Sequence, residues 1–259
     1  MIGNSDYTNS SETSMSTQFH SLVFTNDQDQ ILRDTWIDWR LIPAERPSFV
    51  TPKQKTNFVD IPGMNGSIDM SETLTGFPLY DMREGSLNFY VVHDAYDSGV
   101  TWIDVKNDIE NFLLGLNRRV YLRDELNYYY TGRFMADWKS NSDGKGSTVT
   151  LNYQLQPYKL STTVTTKELV VPEGRTAPLS FNISNDLDVM PVTPFIKGAS
   201  SSQTFTYTDP SNRGFTNTIT LSVIKKQYYG VVLSKIATSG IVTVDGVGTC
   251  VLEFRNGRL

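Results

Sequence analysis

The chain has 259 residues, 39% of them hydrophobic and 20% charged, a balance that builds a folded core and excludes wholesale disorder. Its net charge is −5, with 28 acidic and 23 basic residues, and no Lys/Arg run marks a nucleic-acid footprint, so direct DNA binding is disfavoured. A single cysteine, Cys250, excludes an intrachain disulfide, and no apolar run approaches the ~20 residues of a membrane span.

Residues 1–17 are rich in Ser, Thr and Asn, lack large aliphatics apart from Met1, Ile2 and Met15, and read as a flexible polar arm. They carry neither a basic n-region nor an apolar h-region, so they do not read as a secretory signal. Phe19–Phe24 reads as a first strand, and Trp36, Trp39 and Leu41 open the next block. Ile42–Pro47 is extended or turned, because proline removes a donor and restricts the residue before it. Phe58–Ile61 is a short strand of poor alternation leading into Pro62-Gly63 and Asn65-Gly66, two turn dipeptides within five residues. Ile68 and Met70 follow as alternating apolar positions. From Gly85 the period of two is clear: Leu87, Phe89 and Val91 share one face, Asn88, Tyr90 and Val92 the other.

One helix is expected. Trp102, Val105, Ile109, Phe112, Leu113 and Leu116 form an amphipathic stripe. Thr101 and Asp104 form a capping-box-like start, and Gly115 can stop the helix. Strands follow at Val120–Arg123, Tyr128–Phe134 and Ser147–Gln156, the last two joined by a hairpin loop over 141–146. After Ser161 the texture changes to Thr, Ser and Val, with short strands expected at 162–171, 179–184, 192–197, 203–208, 218–224, 229–233, 241–244 and 248–254. Short strands without a helix argue for a β-sandwich. The expected domains are therefore 18–160 and 161–259, behind the arm of residues 1–17.

The run NFVDIPGMNGSIDMSETLTGFPLY (57–80), followed by REGSLNFYV (83–91), resembles the N-terminal domain of the distal tail protein (Dit) family of long-tailed phages and prophages. WRLIPAERPSF upstream and the helix plus YYYTGRF downstream fit the same pattern, so the resemblance covers residues 19–159. It implies a mainly β chain: a ring-forming β-barrel or sheet-plus-helix domain, then a galectin-like β-sandwich. It also implies a structural virion protein of the tail tip, assembled in the host cytoplasm. In that family a homo-hexameric ring connects the tail-tube protein to the tail-tip or tail-associated lysin protein. Its outward domains support receptor-binding proteins, and DNA passes through the channel. The polar extension before Phe19 departs from the family pattern.

Little in the chain suggests covalent chemistry. Only His20 and His93 are present, so nucleophilic triads have few ways to form. No His or Cys spacing suggests zinc, and no loop fits calcium; catalytic, cofactor and metal residues are expected to be none. GKGST at 144–148 lacks the full phosphate-loop pattern and opens a strand. The acid pairs Asp69/Glu72, Asp81/Glu84 and Asp124/Glu125 are close in sequence, whereas glycosidic chemistry needs carboxyls facing across a cleft. Cys250 reads as a buried, inert thiol. An alternative function is a carbohydrate-binding module for host-surface adhesion, with Tyr207, Phe215, Tyr228 and Tyr229 stacking on sugar rings; the opposing reading puts those rings in the sandwich core.

Overall fold

A computed structural model describes residues 20–73, 75–91, 100–140, 147–188, 190–209, 214–235 and 240–259. The expected arm of residues 1–17, His93 and the loop 141–146 lie outside them. The described residues divide into two compact units: 20–49, 85–126 and 132–154 in the first, and 50–84, 127–131 and 155–259 in the second.

In chain order the elements begin with β1 (Leu22–Thr25), β2 (Ile31–Asp34), β3 (Leu41–Pro43), β4 (Phe58–Asp60), β5 (Ser67–Asp69) and β6 (Arg83–Val91). Helix α1 (Trp102–Leu113) follows, then β7 (Arg118–Leu122), β8 (Tyr128–Ser140) and β9 (Ser147–Leu155). The principal sheet runs β2-β1-β7-β8-β9-β6-β3. Its end strands β2 and β3 do not pair with each other, so among the described residues it is an open sheet and not the closed barrel that was one expectation.

Period-two sequence becomes period-two burial. Phe89 and Val91 on β6 are buried, while Asn88 and Tyr90 are exposed. Val149, Leu151, Tyr153 and Leu155 fill one face of β9. Helix α1 buries Val105, Ile109 and Leu113. Its start is a true capping box: Thr101 accepts from the Asp104 backbone N–H, and the Asp104 carboxylate accepts from the Thr101 backbone N–H at 2.9 Å. Leu116, expected on the stripe, lies outside the helix and is exposed. The helix ends because Leu114 takes a left-handed conformation (φ 32°).

Phe24 centres the core of this unit. Its ring meets Phe134 at 5.2 Å, Phe112 at 5.5 Å and Trp39 at 6.1 Å between centroids. Edge-to-face and tilted arrangements of this kind favour the ring quadrupoles. Asp108 on α1 accepts from Trp39 Nε1 at 2.7 Å and from Arg33 Nε at 3.2 Å. The helix is thereby tied to β2 and to the buried indole.

In the second unit, β10 (Lys159–Ser161) pairs with the start of β8, Leu160 opposite Tyr129. The sandwich comprises β11 (Thr165–Val171), β12 (Leu179–Asn182), β13 (Phe195–Lys197), β14 (Thr204–Thr208), β15 (Thr216–Thr220), β16 (Lys226–Gln227), β17 (Ile241–Asp245) and β18 (Gly248–Phe254), with β19 (Gly257–Arg258) pairing β10. Its sheets run β11-β18-β13-β16 and β12-β17-β14-β15. Between them lie Leu169, Ile196, Phe205, Val231, Val244, Cys250 and Leu252 among others. The strand expected at 229–233 is instead an irregular segment with a lone bridge from Leu233 to Val192, and the short β16 precedes it.

Candidate functional site

The β4–β5 hairpin concentrates exposed apolar side chains in one short element. Its register is Phe58↔Asp69, Val59↔Ile68 and Asp60↔Ser67. Gly63 (φ 85°) and Gly66 (φ 81°) supply the positive φ angles of its turn. Ser67 Oγ donates to Asp60 at 2.5 Å, and Ser71 Oγ accepts from the Asn57 N–H at 2.8 Å. The stem continues as Lys55 N to Leu79 O and Asp81 N to Lys53 O, both 2.8 Å, with Lys55 and Asp81 ion-paired at 3.6 Å.

The hairpin covers no core. Phe58 is 59% exposed, Met64 46%, Ile61 42%, and Val59 and Ile68 40% each. A lone two-stranded hairpin is marginal in water, and this one leaves apolar side chains exposed on both of its faces. The sequence signal was the poor alternation of Phe58–Ile61, which reads equally well as a weak strand. Arg83 anchors the base of the stem. It is 3% exposed, donates from Nη1 to Val50 O at 2.8 Å and from Nε to Pro157 O at 2.9 Å, and lies over the Tyr130 ring at 5.3 Å.

The acid pairs occupy different settings. Asp81 and Glu84 line an open cleft of about 450 Å³ with Lys53 and Arg83, and Asp69 and Glu72 line one of about 390 Å³ with Thr73 and Gly76. Neither cleft gains a carboxyl from another segment, among the described residues. Hydrogen bonds from Ser71 hold the Asp69 carboxyl below its ordinary pKa. Asp124 accepts from Arg46 Nε at 2.8 Å and pairs with His20 Nδ1 at 2.7 Å. Burial raises its pKa, but those bonds and charges outweigh burial and bring it below the ordinary value. Asp69, Asp81 and Asp124 thus each bind a neighbouring side chain, Ser71, Lys55 and Arg46 with His20 respectively.

Of the four rings considered for sugar stacking, Tyr207 is 4% exposed and donates to Gly230 O at 2.6 Å, and Tyr228 packs against the sandwich core. Phe215 and Tyr229 are 74% and 81% exposed. The structure therefore does not gather the four on one face for a ligand. Cys250 is fully buried, and burial pushes its thiol up to about 12. Ser147, from the phosphate-loop-like GKGST, opens β9. No cluster of His, Cys, Asp and Glu fit to hold a metal occurs among the described residues, and no helix is long and apolar enough to cross a membrane.

An open antiparallel sheet backed by one helix, a β-sandwich and an uncovered hairpin define a mainly β protein with the fold of a phage distal tail protein. The particular likeness is to the crystal structure of SPP1 Dit (gp 19.1), described as a paradigm of the hub adsorption apparatus in phages infecting Gram-positive bacteria. The TM-score is 0.55 and the identity 14%, over 93% of this chain and all of that one. A chain of the phage P2 baseplate in its activated conformation with Ca aligns over 92% of this chain and 97% of its own, with a TM-score of 0.40 and 7% identity. No family model and no curated protein sequence matches the chain.

Proposed function

We propose that the chain is a structural protein of a phage tail tip. Copies close into a hexameric ring around an open channel, joining the tail tube to the tail-tip or lysin protein. The observation that carries this reading is the agreement in fold with SPP1 Dit along nearly the whole of both chains. The physics of the molecule is compatible. A ring needs a heterologous contact, one patch meeting a different patch on the next copy. The β4–β5 hairpin offers apolar area with no core of its own to cover, which suits one half of such a contact. Mild acidity, −5 per chain, suits a conduit that must not retain DNA. In this reading the sandwich stands outside the ring and supports receptor-binding proteins.

Sheet extension through the end strands of the principal sheet, an obvious route to a ring, is poorly served. Arg33 caps the Leu32 carbonyl at 2.9 Å and Asp38 caps the Asp34 N–H at 2.6 Å on β2, and β3 ends in Pro43. Such devices block edge pairing, which leaves faces and the hairpin to make the contact.

Negative-stain electron microscopy of the purified full chain, with its mass in solution, tests the proposal. The expected result is sixfold rings with the mass of six 29.2 kDa chains, or of a whole multiple of that ring, either alone or on addition of the tail-tube protein. A chain that stays monomeric in both conditions would sink it.

A further inference from the structure

We infer that β15 is an open edge built to pair with β15 of a second copy of this chain, joining two sandwiches into one continuous sheet across a two-fold axis. The ladder between β14 and β15 fixes which peptide groups are free. Asp209 N donates to Phe215 O at 3.0 Å and Leu221 N to Gln203 O at 2.8 Å, with Phe205 opposite Ile219 and Tyr207 opposite Asn217 between them. In an antiparallel ladder the hydrogen-bonded pairs alternate, so the odd-numbered residues of β15 face β14. The N–H and C=O groups of Thr216, Thr218 and Thr220 therefore point away from the sheet, where the Tyr228 hydroxyl donates to Thr220 O in a long hydrogen bond of 3.5 Å. The side chains of these threonines are exposed as well.

Other edges of this protein carry devices that stop pairing. β2 is capped by Arg33 and Asp38. β3 ends in Pro43, β11 carries Lys167 and Glu168 at mid-strand, Pro178 stands directly before β12, and β16 is only two residues long. Among the described residues, β15 carries only the long Tyr228 hydrogen bond to its last carbonyl. From Gly214 to Ile224 the sequence GFTNTITLSVI contains no charge and no proline, and its ends expose Phe215 (74%), Val223 (49%) and Ile224 (73%). Natural edges that lack lysine, proline or a bulge are templates for another strand.

The occupant follows from the register. Antiparallel pairing about a two-fold axis at Thr218 sets Thr218 against Thr218 and Thr216 against Thr220, so every outward peptide group of one copy meets an outward group of the other. The hydroxyl row from Ser180 through Thr243 and Thr206 to Thr218, with Thr206 and Thr218 hydroxyls 2.7 Å apart, would run on into the second copy. An isologous contact needs this self-complementarity, and uncharged threonine pairs favour it.

The test compares the solution mass of the full chain with that of Thr218→Lys, which sets two like charges on the axis. Thr218→Pro, which removes an outward donor without removing a hydrogen bond to β14, and Thr243→Lys, which adds a charge to the same face away from the edge, complete the set. Circular dichroism confirms that each variant is folded. The expected result is that T218K and T218P halve the mass while T243K does not, and that the Thr216, Thr218 and Thr220 amides exchange faster in the halved species. The ring reading is separable: twelve chains falling to six supports both proposals, two falling to one supports this one alone. A mass unchanged by T218K and T218P, or edge amides exchanging freely in the wild-type assembly, overturns it.

Discussion

Gly85 and Asp108 show how single positions hold the first unit together. A Cβ on Gly85 would lie 2.4 Å from Tyr153 Oη and 2.7 Å from its Cζ, so the ring packs directly on the backbone of β6. Gly85→Ala must displace a tyrosine that is 4% exposed and packed on Phe49 at 5.0 Å; a loss of about 1–3 kcal/mol is expected, read by urea denaturation. A change under about 0.5 kcal/mol would mean that the ring has room to move. At Asp108, burial raises the carboxyl pKa, but the bonds from Arg33 and Trp39 and the Arg33 charge outweigh it and bring it below the ordinary value. A depressed folded pKa lends stability that is present above the unfolded value, near ~3.9, and is lost as pH falls through the folded value. The stability difference between wild type and Asp108→Asn should therefore be level from pH 7 down to about 5 and shrink below about 4; a difference that grows on acidification would refute the assignment. Nothing local in the sequence pairs Gly85 with Tyr153, or Asp108 with Trp39. Each partner lies scores of residues away, and only the fold brings them together.

At the scale of elements, what could be read in the sequence was what depends on near neighbours. The Thr101–Asp104 box, the β6 alternation and the Asn65-Gly66 turn are specified within a few residues, and all three take the expected form. Thr101→Ala should lower stability by ~1 kcal/mol by removing the side-chain acceptor of the first turn, measurable as a fall in denaturation midpoint; Thr101→Asp should restore most of it. Where burial decides, the pattern misled. Leu116 has the right spacing, but the chain has left the helix at Leu114. Val223 continues the apolar alternation of β15 yet is 49% exposed, because the strand has ended at Thr220. The segment 229–233 is apolar because Val231 and Leu233 fill the core, and a core position does not require a strand. The candidate site was legible only in part: the turn chemistry of the hairpin stood out, but its exposure depends on what the rest of the fold leaves uncovered.

For the whole molecule, the question is what covers the apolar surface that the two units do not use themselves. Part of the aromatic-rich sequence goes into the Phe24, Trp39, Phe112 and Phe134 cluster and into the sandwich core. The hairpin is not accounted for in that way. Burying a phenylalanine or isoleucine side chain is worth about 1.5–3 kcal/mol, so leaving Phe58 and Ile68 in water is a loss unless assembly recovers it. The double variant Phe58→Ser/Ile68→Ser therefore separates folding from assembly. Both side chains are substantially exposed in the single chain, so the melting temperature of the unassembled protein should stay within a degree or two of wild type. Ring formation, read by electron microscopy and solution mass, should fall sharply, because several kcal/mol of apolar contact per copy are lost at each of the repeated interfaces. Rings of undiminished yield would show that the hairpin faces solvent in the assembly, and the contact would then have to be sought on the faces of the principal sheet. A large fall in the melting temperature of the monomer would instead give the hairpin a role within the single chain.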